Sequence, residues 1–69
     1  MRILVINPNT SVEMTHDIAD AARRYARPGT HIDTVCPEWG PRSIEGHYED
    51  FVAAVAMLEV VRERAADYD

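Results

Sequence analysis

RILVINPNTS, residues 2–11, decides how the rest of the chain is read. Its apolar run, Ile3-Leu4-Val5-Ile6, does not alternate with polar residues. A strand with one wet face alternates, whereas a strand covered on both faces, as in a parallel sheet between helices, reads as a continuous apolar run. Residues 2–6 therefore predict a buried strand. Asn7-Pro8-Asn9-Thr10-Ser11 then ends the run, and from Val12 the apolar period becomes helical. In open α/β sheets ligands bind outside the carboxyl ends of the strands. This turn sits there, with two asparagines, a proline and two hydroxyls, and no glycine, lysine or acid.

Working outward, Met14, Ile18, Ala22 and Tyr25 recur at helical spacing between Val12 and Ala26. Glu13, Asp17, Asp20, Arg23 and Arg24 lie mostly on the other side, so the segment predicts an amphipathic helix. Thr10 with Glu13 has capping-box spacing, and Thr10 or Ser11 starts the helix. Pro28-Gly29 ends it. His31-Ile32-Asp33-Thr34-Val35-Cys36 alternates and is rich in β-branched residues, predicting a second strand nearer the sheet edge, stopped by Pro37. PEWGPRSIEG, residues 37–46, holds two prolines and two glycines and predicts an irregular loop. From His47 to Ala66 a second helix is predicted, with Tyr48, Phe51, Val55 and Leu58 on one stripe and Val52 beside it.

The order is β-α-β-α, an α/β unit whose parallel strands are joined by a right-handed helical crossover. Two strands cannot bury both faces of the first and also satisfy two amphipathic helices. The expectation is that residues 1–69 are the N-terminal, incomplete part of one α/β lobe, the start of a three-layer arrangement.

Composition narrows the function. Sixty-nine residues make at most one small domain, with a marginal core. Cys36 is the single cysteine, which excludes an intrachain disulfide and a cysteine-rich zinc site. His16, His31 and His47 are spread without metal-ligand spacing, and no metal or cofactor is expected. A net charge of −5 with scattered arginines argues against nucleic acid as a partner. The N-terminal apolar run is shorter than the roughly 7–15 residues of a signal core. No stretch approaches the roughly 20 apolar residues of a membrane span. A cytoplasmic setting is expected from the cysteine usage.

Two loops are the candidate sites. In NPNTS, Asn7 and Asn9 offer amide donors and acceptors, Thr10 and Ser11 offer hydroxyls, and the helix start adds positive potential. That suits an amide, imide or carboxylate; the glycines that wrap a pyrophosphate are missing. The plainer alternative is that Asn9, Thr10 and Ser11 cap a helix and Pro8 stiffens the turn. In the second loop Trp39 can wall a pocket and Ser43 can donate to a ligand, with Glu45 or Arg42 a gate or a surface charge. Its plainer alternative packs Trp39 on the helix ends. Cys36 follows the second strand, where a reactive thiol is conceivable, but a buried, inert cysteine fits better. Glu63 and Asp67 read as a solvated face.

MRILVINPNTS, the MT at 14 and 15, the PGT at 28–30 and the GPRSIEG at 40–46 together resemble the opening of the hydantoin racemase family, within the aspartate/glutamate racemase superfamily. The resemblance covers essentially the whole chain. It implies a cofactor-independent isomerase acting on 5-substituted hydantoins or allantoin. Two cysteines from two pseudo-symmetric α/β lobes face each other across the substrate, one removing the α proton and the other delivering a proton opposite. Backbone N–H groups and hydroxyls hold the enolate-like intermediate. Cys36 lies outside any motif that matches, so neither catalytic thiol is assigned to this chain, which alone is expected to be inactive. Carried over residue by residue, the resemblance makes Asn7, Pro8, Asn9 and Ser11, with Trp39, Gly40, Pro41 and Ser43, substrate-binding. It also implies a small-molecule substrate and a homo-oligomer in the full-length form. The alternatives are other superfamily chemistry (aspartate racemase, maleate isomerase, arylmalonate decarboxylase) or a free-standing βαβα module that dimerises to complete its sheet.

Overall fold

The computed structural model describes residues 1–69. Strand β1 spans Arg2–Ile6, helix α1 Val12–Tyr25, strand β2 His31–Val35 and helix α2 His47–Arg64, which tightens into a 3-10 turn at Ala65–Asp67. The strands pair in parallel, from Arg2 opposite His31 to Ile6 opposite Val35. This is the βαβα order the sequence predicts. Gly29, at φ 89, supplies the left-handed turn that returns the chain from α1 to β2.

The hydrogen bonds give each edge of β1 its role. Met1 O accepts from the His31 N–H at 2.8 Å, and the Asn7 N–H donates to Val35 O at 2.8 Å. Backbone groups alternate in direction along a strand, so Arg2, Leu4 and Ile6 present theirs to the other edge. There the chain end meets Arg2: its N–H donates to Asp69 Oδ2 at 2.6 Å, and its carbonyl accepts the Asp69 N–H at 2.8 Å. Beyond that point no strand covers the edge. An apolar groove of about 460 Å³ runs along it, lined by residues including Leu4, Ile6, Val61 and Tyr68. The strand read as buried on both faces is consequently only half-buried from Ile3 to Ile6.

Side chains alternate between the faces, and each face has its helix. Val35 shares a cavity with Ala56 and Val60 of α2, and the Tyr68 hydroxyl beyond α2 donates to Asp33 at 2.6 Å. Asn7 continues the opposite phase, that of Ile3 and Val5, and meets Thr15 of α1. The helices thus cover opposite faces, as a parallel sheet requires.

Both helices sit rotated from the orientation their largest apolar residues predict. On α1 the buried positions are Thr15 and Ala19, and of the predicted stripe Ile18 and Ala22 are half-buried while Met14 and Tyr25 are exposed. On α2 they are Ala53 and Ala56, and the stripe Tyr48, Phe51, Val55 and Leu58 is 79, 72, 53 and 60 % exposed. Small side chains let a helix approach its neighbours closely, and here the approach is close. A Cβ built on Gly40, whose φ is 116, would lie 3.4 Å from the Ala56 Cβ. The core is correspondingly thin: its buried apolar residues are Ala19, Ala53 and Ala56, with no large side chain fully enclosed.

Candidate functional site

The strand-to-helix turn is built around Asn7. β1 carries this residue under the first turn of α1, where it is 2 % exposed. Its Nδ2 donates to Asn9 Oδ1 at 3.0 Å and to Thr15 Oγ1 at 3.1 Å, with Ser11 O at 3.5 Å a weaker third acceptor. Its Oδ1 accepts a long bond, 3.4 Å, from the Asn9 N–H. Asn9 Oδ1 also accepts the Ser11 N–H at 2.9 Å, closing an Asx turn. The Thr15 hydroxyl donates to Ser11 O at 2.7 Å. A buried amide without partners is costly, and this mutual bonding removes the cost.

One donor is left over. Asn9 is 8 % exposed, and its Nδ2 has a single partner, the Met14 thioether at 3.3 Å. Sulfur is a weak acceptor and an amide NH₂ has two hydrogens, so the donor end of Asn9 is unsaturated. The local bonds fix which end that is, since Oδ1 is already claimed by Asn7 and Ser11.

Helix α1 begins at Ser11, whose hydroxyl accepts the Met14 N–H at 3.1 Å. The Thr10–Glu13 capping box does not form. Thr10 is diverted to the second loop, donating its N–H to Pro41 O at 3.1 Å. Arg42 then faces Thr10, Ser11, Glu13 and His16 across an open groove of about 450 Å³.

The structure therefore gathers Asn7, Asn9, Ser11 and Pro41, with Pro8 exposed at the tip of the turn. Trp39 lies on the other side of the loop. Its Nε1–H donates to Glu59 at 2.8 Å in the middle of α2 rather than packing on helix ends. Gly40 follows it against Ala56, and Ser43 is exposed. Trp39 walls a separate cavity of about 200 Å³ whose lining includes Cys36, Ala56, Glu59, Glu63 and Arg64. Cys36, expected to be buried, is half-buried there. Thr15 escapes the sequence reading of the site. Its place four residues after Ser11, where a hydroxyl can bond back to a carbonyl, was the available signal.

A second polar cluster ties the chain end to the sheet. The Tyr68 hydroxyl beside Asp33 holds that carboxyl below its ordinary range; burial opposes this, and the charges of His31 and Arg64 and the His31 hydrogen bond support it. The guanidinium carbons of Arg2 and Arg64 stand 5.2 and 5.9 Å from the Tyr68 ring centre. No three His, Cys, Asp or Glu side chains gather as a metal site, and no helix is long and apolar enough to cross a membrane.

Comparison with known proteins places this arrangement. Residues 3–69 match the Asp/Glu/hydantoin racemase family model. The chain is 46 % identical over 65 residues to a hydantoin racemase of Paenarthrobacter aurescens, covering 94 % of this chain and 27 % of the relative. It is 42 % identical over 62 residues to a hydantoin racemase of Pseudomonas sp. (strain NS671), covering 90 % and 25 %. Among solved structures it superposes on an allantoin racemase from Klebsiella pneumoniae with TM-score 0.91 and 52 % identity, covering 97 % of this chain and 27 % of that one. An allantoin racemase from Pseudomonas fluorescens gives TM-score 0.84 and 43 % identity, with 100 % and 28 % covered. The chain spans about a quarter of the length of these relatives. Its parallel βαβα unit is that of an α/β racemase fold, and the chain belongs to the Asp/Glu/hydantoin racemase family.

Proposed function

We propose that this chain supplies one wall of the pocket of a cofactor-independent racemase acting on 5-substituted hydantoins or allantoin, as the first part of one α/β lobe. The observation that carries the reading is the Thr10–Pro41 hydrogen bond, 3.1 Å. It joins NPNTS and the 37–46 loop at the carboxyl end of β1, where α/β sheets bind ligands.

The reaction takes a proton from a carbon made acidic by an adjacent carbonyl, and charge develops on that oxygen. Fixed neutral donors aimed at the oxygen lower the barrier. Asn9 offers such a donor, its amide oriented by Asn7 and by the Ser11 N–H. Asn7 orients rather than contacts, because its own NH₂ is already used. Pro8 and Ser11 shape the turn, and Pro41 with Ser43 forms the wall toward the 5-substituent, while Trp39 and Gly40 pack toward Glu59 and Ala56 of α2. The two-cysteine proton transfer draws its thiols from elsewhere, for Cys36 is the only cysteine here and faces the Trp39 cavity. On this reading the full-length enzyme is a cytoplasmic homo-oligomer.

An NMR titration of the 69-residue chain with allantoin and with 5-benzylhydantoin tests the binding half. Shifts at the Asn9 side-chain amide and at Thr10 are expected; shifts confined to the Trp39 cavity, or none, count against it. Polarimetry tests the chemical half. The chain alone is expected to leave the rotation of an L-5-substituted hydantoin unchanged. A loss of rotation abolished by Cys36→Ser would overturn the assignment of the thiols.

A further inference from the structure

Met14 stands at the one loose donor of the NPNTS turn. Its thioether accepts from Asn9 Nδ2 at 3.3 Å, and its own N–H donates to the Ser11 hydroxyl at 3.1 Å. Backbone and side chain are thus tied to neighbouring points of the turn, which holds the sulfur beside the amide. The two groups differ in access: Asn9 is 8 % exposed and Met14 47 %. Of the three methionines, Met14 alone has a sulfur that accepts a hydrogen bond. A thioether is a weak acceptor, so an incoming carbonyl displaces it at small cost. Sulfur is also the atom of this turn that oxidants attack.

We propose that Met14 is a site of reversible oxidation whose sulfoxide captures the Asn9 donor and closes it to ligands. The oxidant is a hydroperoxide, whose terminal oxygen is attacked by a sulfur lone pair. The S–O bond forms as the O–O bond breaks, and the hydroperoxide proton passes to the leaving oxygen, which departs as water when the oxidant is hydrogen peroxide. Sulfur is oxidised and the peroxide is reduced. A thiol-dependent sulfoxide reductase reverses the step, thiols becoming a disulfide and the oxygen leaving as water. The sulfoxide oxygen is a strong acceptor where the thioether was a weak one, and the unbranched side chain lets it adjust to the amide. Asn9 cannot escape by turning its amide over, because Oδ1 is already bonded to Asn7 and to the Ser11 N–H. The consequence for ligand binding rests on the role proposed above for Asn9; the capture itself does not.

Peroxide treatment of the isotope-labelled chain, with oxygen uptake at Met14 located by mass spectrometry, reads the capture by NMR. The Asn9 side-chain amide protons should move downfield on oxidation and return after treatment with a methionine sulfoxide reductase. Met14→Leu keeps an apolar side chain of similar helix propensity at an exposed position. In that variant peroxide still reaches the other methionines and should leave the Asn9 signals in place. Met14→Gln offers an amide oxygen at similar reach and should reproduce the oxidised signals without peroxide. Allantoin, the ligand probe, should bind the oxidised chain about tenfold more weakly than the reduced chain. Asn9 signals that ignore oxidation at Met14, or that move equally in Met14→Leu, overturn the proposal. So does equal allantoin affinity in the two states. A reduced chain that binds no allantoin counts against the proposed function, and the amide signals then decide the oxidation proposal alone.

Discussion

The side-chain amide of Asn7 donates to the hydroxyl of Thr15 at 3.1 Å, linking the end of β1 to the first turn of α1. Thr15 is 6 % exposed and passes its own proton to Ser11 O at 2.7 Å. One hydroxyl thus holds both sides of the turn. Thr15→Val keeps the shape and removes the hydroxyl, orphaning one buried N–H of the Asn7 amide, while Ser11 O keeps the Thr15 backbone N–H at 3.0 Å. A loss of about 1–3 kcal/mol in urea unfolding is expected, with Thr15→Ser retaining most of the stability. Equal loss in both variants would mean that the methyl, not the hydroxyl, matters.

The start of α1 separates two candidate caps. Ser11→Ala removes the oxygen that accepts the Met14 N–H and should cost about 1 kcal/mol. Thr10→Ala should cost clearly less, because Thr10 contributes its backbone N–H to Pro41 and that group survives the substitution. Thermal melts of the two variants side by side decide between them.

Trp39 is the only tryptophan and reports on the loop. Glu59→Ala removes the acceptor of its indole N–H, so emission should shift and acrylamide quenching rise. Glu59→Gln keeps an acceptor oxygen and should leave the quenching close to wild type. A spectrum insensitive to both would place the indole free of α2 in solution.

Acid should weaken the tie between the chain end and the sheet. Asp33 has its folded pKa lowered from 3.8, chiefly by the Tyr68 hydroxyl. A group whose folded pKa is depressed contributes stability above its unfolded pKa and loses it as pH falls through the folded value. The contribution is therefore whole at neutral pH and fades below 3.8. In Tyr68→Phe the Asp33 titration, followed by carboxyl NMR, should move upward toward the ordinary value. An unchanged midpoint would assign the depression to His31 and Arg64 instead.

Much of this chain is legible locally. The run Ile3–Ile6, the alternation from His31, the break at Pro28-Gly29 and the irregularity of residues 37–46 each rest on a few neighbouring residues, and the elements stand where those patterns put them. The resemblance of the two loop motifs to the hydantoin racemases likewise needed only their order along the chain. Tertiary structure alone decided which way the helices turned. Hydropathy points the stripe from Tyr48 to Leu58 inward, yet Ala53 and Ala56 take that place, and the small side chain of Ala56 allows the close approach of the Gly40 loop. The same holds for Thr15, polar in sequence and buried in fact, because Asn7 and Ser11 offer it partners that only the folded turn brings within reach. Thr10 has capping chemistry in both descriptions, but Pro41, 31 positions later, claims its N–H. Patterns along the chain specify what each segment forms; which surface it buries is set by size and hydrogen-bond partners from distant segments.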